Sequence, residues 1–196
     1  TLFRSRDAAH LGEQIGIAIP LLAILALAVG YWLSDNDCGN AAAPGVPMKA
    51  IIYCDYGTAD VLRPADIDVP TPGPRDVLID VAAAGLDRGT WHLMTGTPHL
   101  VRLAGPKRPR NRVPGLDVAG VVTAIGAEVT RFAVGDEVFG AARGSFAEFA
   151  LAREDKIARK PASVGMTEAG ALAVSGVTAV QAVDAGRVTP GQRVLI

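Results

Sequence analysis

Cysteine and histidine are scarce in this chain, and their scarcity removes most metal chemistry at the outset. The two cysteines, Cys38 and Cys54, cannot build a four-cysteine structural zinc lobe, and neither has a partner at ligand spacing. Cys54 falls in an apolar stretch and reads as a core residue, so nothing demands an oxidising compartment. The only imidazoles are His10, His92 and His99. Gly96 and Pro98 lie between the last two, which breaks the helical geometry that would bring them together. No metal site is expected. Charge of one sign is also lacking: the formal net charge is −1, which excludes a global field for nucleic acid. The one basic cluster, Lys107, Arg108, Arg110 and Arg112, is interrupted by Pro109 and holds no aromatic on which a base could stack. It reads as a solvated loop, and no nucleic-acid partner is expected.

A long apolar run is present. Ile15 to Leu33 carries no charge, and as a helix at about 1.5 Å per residue it would span roughly 28 Å. Pro20 lies in its second turn, and Tyr31 and Trp32 stand at its far end as interfacial aromatics would. The run exceeds the roughly 7–15 residues of a secretory signal core, although Ala41 to Ala43 offer a cleavage site. Arg4 and Arg6 precede it while Asp35 and Asp37 follow, an order that leaves Met48 onward outside a membrane. The opening Thr1 to Ser5 matches the translation of a common sequencing adapter, and Ile196 falls within an expected strand. Residues 1–47 are therefore expected to be a foreign or misjoined leader on a fragment. A genuine membrane anchor over residues 15–33 is the alternative, and only then is a membrane a partner.

Beyond the leader the pattern is mostly β. Lys49 to Cys54 is apolar and Val77 to Val81 alternates, with Pro70, Pro72, Gly73 and Pro74 marking a turn-rich connection between them. Val118, Val121, Val122, Thr123 and Ile125 favour a strand. Gly120 and Gly126 interrupt it where a bulge or close backbone approach is expected. Gly135-Asp136 reads as a turn into a short strand, Glu137 to Phe139, and Ser145 to Leu151 and Lys156 to Arg159 complete the set. Gly96 to Pro114 reads as a long surface loop. Helix is expected from Thr167 as N-cap, divided at Gly176, with Val177 to Ala185 stopped by Gly186. Gly115 and Gly120 share the first spacing of a phosphate loop, but Val121 and Val122 occupy its lysine and hydroxyl positions. Several short strands with turn signals indicate a small barrel-like domain.

The order Gly115-Leu116-Asp117, Gly120, Gly126 and Gly135-Asp136 resembles the catalytic domain of the medium-chain dehydrogenase/reductase superfamily. Met48 to Ile51, Ala83 to Asp87, Gly144 to Phe149 and Pro190 to Ile196 match further segments of that pattern. The Gly-His-Glu slot holds Gly115, Leu116 and Asp117, and leucine has no lone pair for a metal. The resemblance is thus to the zinc-free, quinone-reductase-like branch. It implies a mainly β, chaperonin-10 (GroES)-like catalytic domain over residues 48–173. Bridging helices and the first strand of a truncated Rossmann domain would follow over 174–196, with a separate N-terminal apolar helix inside residues 1–47.

The function implied is hydride transfer from NADP(H), with NAD as the other option and without zinc, to a quinone, an α,β-unsaturated carbonyl or a similar small-molecule electrophile. Matching by order places Asp87 where relatives carry a catalytic asparagine beside nicotinamide and substrate. An ionised aspartate can only accept hydrogen bonds, so the donor role is put in question, and a strand-end turn carboxylate is the plainer alternative. Trp91 and Met94 fall in the segment lining the acceptor pocket, with core packing as the alternative. Thr178 matches a threonine contacting the nicotinamide end of the cofactor, or else a hydroxyl that only serves backbone. Glu148 and Asp136 read as structural. An alcohol dehydrogenase and a non-catalytic membrane-tethered β-domain are the competing readings. The resemblance further implies a homodimer in the complete protein, and a cytoplasmic catalytic part unless the leader is a genuine anchor. The fragment by itself is expected to be inactive.

Overall fold

Alternating apolar side chains build the first of two sheets. Strand β1 (Pro47–Ile52) buries Met48, Ala50 and Ile52 from one face, and it pairs antiparallel with β2 (Arg63–Asp68), Met48 facing Ile67. These elements come from a computed structural model that describes residues 45–195 together with Leu25 and Val29. The apolar helix expected over residues 15–33 lies outside the described residues, apart from Leu25 and Val29, which are helical. Among the described residues no helix is long and apolar enough to cross a membrane. The chain divides into two units, Thr1–Gly39 and Asn40–Ile196. Everything below concerns the second.

The larger sheet has five strands: β3 (Asp76–Ala84), β4 (Asp117–Ile125), β5 (Glu137–Ala141), β6 (Phe149–Arg153) and β7 (Ile157–Arg159). Their order is β6-β3-β4-β5-β7, antiparallel throughout. Val77, Ile79, Val118, Val122 and Val138 are essentially inaccessible to solvent, and Phe132, Ala150, Ala152 and Ile157 close the core around them. β-Branched side chains suit this pleated, buried surface, which is why a core with few aromatics suffices. An isolated bridge from Ala50 to Ala147 ties the smaller sheet to the segment before β6. Helix α1 (Arg88–Thr95) follows β3, while α2 (Met166–Gly170) and α3 (Ala173–Ala185) follow β7.

The β layout agrees with the mainly β, GroES-like expectation, with several local corrections. Strand β2 and helix α1 were not anticipated, because the proline-rich and glycine-rich flanks masked them. Residues 145–148 precede β6 rather than belonging to it. The bulges fall at Ala82 and Thr123, where the β3–β4 register shifts, and not at the glycines. Gly120 and Gly126 instead serve close backbone approach. A Cβ on Gly120 would lie 2.0 Å from the Asp80 carbonyl oxygen, and one on Gly126 would lie 1.9 Å from that of Gly73. Cys54 stands beyond the end of β1 and is half-buried, with Arg63 Nη2 3.3 Å from its Sγ.

The helices differ too. Thr167 lies inside α2, whose N-cap is Gly165, and the break falls at Ala171-Leu172 instead of Gly176. A glycine within a helix costs about 1 kcal/mol, too little to divide one that is anchored elsewhere. The stop after Ala185 is as expected, with Gly186 N donating to Ala182 O. Residues 192–195 hold no regular structure, so the strand expected over Arg193–Ile196 is not formed there. A strand needs a neighbour to satisfy its backbone, and among the described residues none pairs with it.

Candidate active site

Because β3 and β4 run antiparallel, the end of the first lies beside the start of the second. Ala84 faces Val118 in the register, and one residue further Gly85 N donates to Asp117 O at 3.3 Å. The head of α1 therefore meets the Gly115-Leu116-Asp117 segment. Gly115 adopts φ +98°, open to glycine at little cost, and a Cβ there would lie 2.3 Å from Ser145 Oγ. Its carbonyl accepts from the Gly144 and Ser145 amides at 3.1 and 3.3 Å, which packs the Gly144-Ser145-Phe146 turn beneath the entry to β4.

Asp87 is the N-cap of α1. Its Oδ1 accepts from Thr90 N at 2.9 Å and its Oδ2 from Thr90 Oγ1 at 2.6 Å, and the side chain is buried. The carboxylate thus orders a helix rather than a loose turn, while each oxygen keeps further lone-pair capacity. One turn on, Trp91 is 39 % exposed, so core packing does not account for it. Arg88 Cζ stands 4.4 Å above its ring and the His92 ring meets it edge-on at 5.1 Å. Met94, on the same helix, is half-buried. Thr178 is exposed on α3 and its Oγ1 donates to Val174 O at 2.7 Å, the backbone-serving geometry given above as its alternative. Among the described residues no hydrogen bond or ring contact joins Thr178 to Asp87, Trp91 or Met94.

Asp117, which sequence reasoning treated only as part of a broken metal motif, joins α3 to the start of β4. Its side chain is 2 % exposed, and Oδ1 accepts from Val174 N at 2.7 Å in the first turn of α3. Burial raises its pKa above the usual 3.8, the Val174 amide opposes that, and the Asp87 charge adds to it. The one signal that could have flagged it is an acidic residue opening an otherwise apolar, buried strand.

A zinc ion does not fit these residues. Leu116 holds the histidine position, and its Cδ1 packs 3.5 Å from where a Cβ on Gly89 would stand. The Asp117 carboxylate is committed to Val174, and among the described residues no group of three or more histidine, cysteine or acidic side chains could hold a metal. Glu148 and Asp136 are structural as expected. Glu148 Oε2 accepts from Lys49 N at 2.7 Å at the strand edge, and Asp136 Oδ2 accepts from Ala133 N at 2.8 Å across its turn. The basic cluster is less solvated than expected: Arg108 stands 3.7 Å from Asp55, and Arg110 and Arg112 line a cleft of about 450 Å³ with Met48, Phe149 and Leu151. None of the expected site residues borders that cleft.

Residues 73–173 match the alcohol dehydrogenase GroES-like domain. A spinach (Spinacia oleracea) chloroplast quinone-oxidoreductase homolog is 36 % identical over 142 residues, 69 % of this chain and 41 % of the relative. A tomato (Solanum lycopersicum) 2-methylene-furan-3-one reductase is 32 % identical over 160 residues, covering 76 % of this chain and 40 % of the relative. A mycobacterial protein solved in complex with NADPH superposes with a TM-score of 0.63 at 30 % identity, over 74 % of this chain and 42 % of that one. The chain spans about two-fifths of the length of these curated relatives.

Proposed function

We propose, for a chain that belongs to the medium-chain dehydrogenase/reductase superfamily through its alcohol dehydrogenase GroES-like domain, that it forms the acceptor-binding part of a zinc-independent NAD(P)H-dependent oxidoreductase. The acceptor is a quinone or an α,β-unsaturated carbonyl. The observation that carries this reading is the meeting of the α1 head with the start of β4, where a buried Asp87 stands beside a metal motif whose ligand position is Leu116. The names of the spinach and tomato relatives support a quinone or enone acceptor, and the NADPH of the mycobacterial structure supports the phosphorylated cofactor. A cytoplasmic catalytic part belongs to this proposal, since reduced nicotinamide is available there. Because the chain covers two-fifths of its relatives, the activity is assigned to a full-length protein containing it, and the chain alone is expected to be inactive.

NADPH, when bound, supplies the hydride. Without a metal, charge developing on the acceptor oxygen must be met by hydrogen-bonding groups placed beforehand. Asp87 locks the first turn of α1, which presents the exposed Trp91 ring and, further along, Met94 as apolar walls for a planar acceptor. Thr178, on α3, would hold the nicotinamide end of the cofactor through the lone-pair capacity its backbone hydrogen bond leaves. The spare lone pairs of Asp87 accept from a donor on substrate or cofactor.

Rates of NADPH oxidation with a soluble quinone, measured for the full-length protein and for this chain alone, test the reading. The chain alone should leave NADPH unchanged. Asp87→Asn should retain or raise turnover, because its amide oxygen still accepts from Thr90 N while its NH2, in place of Oδ2, adds a donor. Asp87→Leu should lower kcat by about 10-fold or more, the scale of one lost transition-state contact. Equal rates for all three full-length proteins would reduce Asp87 to a helix cap, and no quinone reduction by the wild type would reject the activity.

A further inference from the structure

Helix α3 begins without a cap of its own. Its N-cap residue is Leu172, which has no side-chain acceptor, so the amides of the first turn must find partners elsewhere. Val174 N finds one on another element: Asp117 Oδ1, from the opening residue of β4, at 2.7 Å. The carbonyl of the same Val174 accepts from Thr178 Oγ1, also at 2.7 Å. Val174 is thus held at both ends of its backbone, by Asp117 on one side and by Thr178 on the other. The Asp117 side chain is itself confined, because a Cβ on Gly85 would lie 2.8 Å from the Asp117 Cβ and 2.5 Å from the Gly170 carbonyl oxygen. Only glycine at position 85 lets β3, β4 and the α2–α3 junction converge this closely.

From this geometry we propose that Asp117 is a positioning residue: it caps α3 across the fold and sets the placement of Thr178 relative to the Asp87 head of α1. The functional half of the proposal rests on the reading of Thr178 as a cofactor contact. Asp117 does not touch the reacting atoms. It works through the Val174 amide, and it joins the helix carrying Thr178 to the strand that runs beside the α1 head. The acidic residue of the broken motif thus has a task that does not need the missing histidine. The task needs an oxygen acceptor of aspartate length, and charge is secondary to it.

Amide hydrogen exchange followed by NMR on this chain tests the geometric half, and steady-state kinetics on the full-length protein tests the functional half. In Asp117→Ala, exchange at Val174 should accelerate at least 10-fold while the core amides of Val77 and Ile79 stay protected. Asp117→Asn should restore most of that protection, since its amide oxygen accepts from Val174 as the carboxylate does. In the full-length protein Asp117→Ala should lower kcat about 10-fold or raise the KM for NADPH by a similar factor, with the quinone KM within about twofold, and Asp117→Asn should recover most of the loss. Unchanged Val174 exchange in Asp117→Ala overturns the cap, and so does failure of Asp117→Asn to recover protection. Altered exchange with kinetics identical to the wild type overturns the positioning role. A wild type with no reductase activity rejects the proposed function and leaves the exchange result to decide the cap.

Discussion

Asp117 carries its negative charge in a place that opposes charge. Its folded pKa is raised by burial and, further, by Asp87, with only the Val174 amide pulling the other way. A raised folded value means that the native state binds its proton more tightly than the unfolded chain does. Its contribution to stability is then fully present below the usual 3.8 and is lost as pH rises through the folded value. Asp117→Asn keeps an acceptor for Val174 but has no proton to lose. Thermal melts of the two proteins should therefore diverge, with the variant gaining on the wild type between pH 3.5 and 7. Parallel melting curves across that range would show that Asp117 does not titrate against burial. At this scale the sequence was partly legible. Glu148 and Asp136 do what their positions imply. Asp87 caps a helix that local composition does not announce, and its hydrogen bonds to Thr90 follow from that helix. Asp117 was missed because its partner, Val174, is distant in sequence and donates through its backbone amide, which no side-chain motif records.

Between elements, the β3–β4 pair bears most of the structure, since it carries the core and both ends of the candidate site. Its two bulges at Ala82 and Thr123 let the strands bend while Val77, Ile79, Val118 and Val122 remain buried. Gly120 lies between those irregularities, with the Asp80 carbonyl where a side chain would project. A methyl there cannot be accommodated by rotating a flexible neighbour, because the obstacle is backbone in the middle of a ladder. Gly120→Ala should cost about 1–3 kcal/mol, the usual range for overpacking a filled core, or more where the ladder cannot shift. Urea denaturation of this chain measures it, and an unaltered midpoint would mean that β3 and β4 separate locally at little cost. Strand positions were legible because β-branched alternation is a local property. The bulge positions were not, since they depend on how two strands are registered against each other. The helix break was misplaced for a related reason: Gly176 is conspicuous in sequence, while the cap that holds α3 from Ala173 comes from β4.

On the scale of the molecule, the metal question turns on Leu116, which stands at the histidine position of the motif. Metal-assisted hydride transfer in this superfamily needs convergent ligands at the mouth of β4. There, Leu116 offers only methyl groups, and the neighbouring carboxylate accepts from α3 through Oδ1. Local alternation and turn chemistry make a small barrel-like set of short strands legible, while its GroES-like character follows from the family resemblance. Beyond it, α3 leaves Val177, Val180 and Val183 all more than half exposed. A full-length protein with this site should turn over without a resident ion, because Leu116 stands where a metal-dependent relative needs a histidine ligand. After exhaustive dialysis against a chelator, its NADPH-quinone reductase rate should stay within about twofold of the untreated rate, and elemental analysis should find zinc well below one equivalent. Stoichiometric zinc, with activity lost on removal and regained on its return, would mean that ligands outside Leu116 and Asp117 rebuild the metal centre, and the zinc-independent reading would fall.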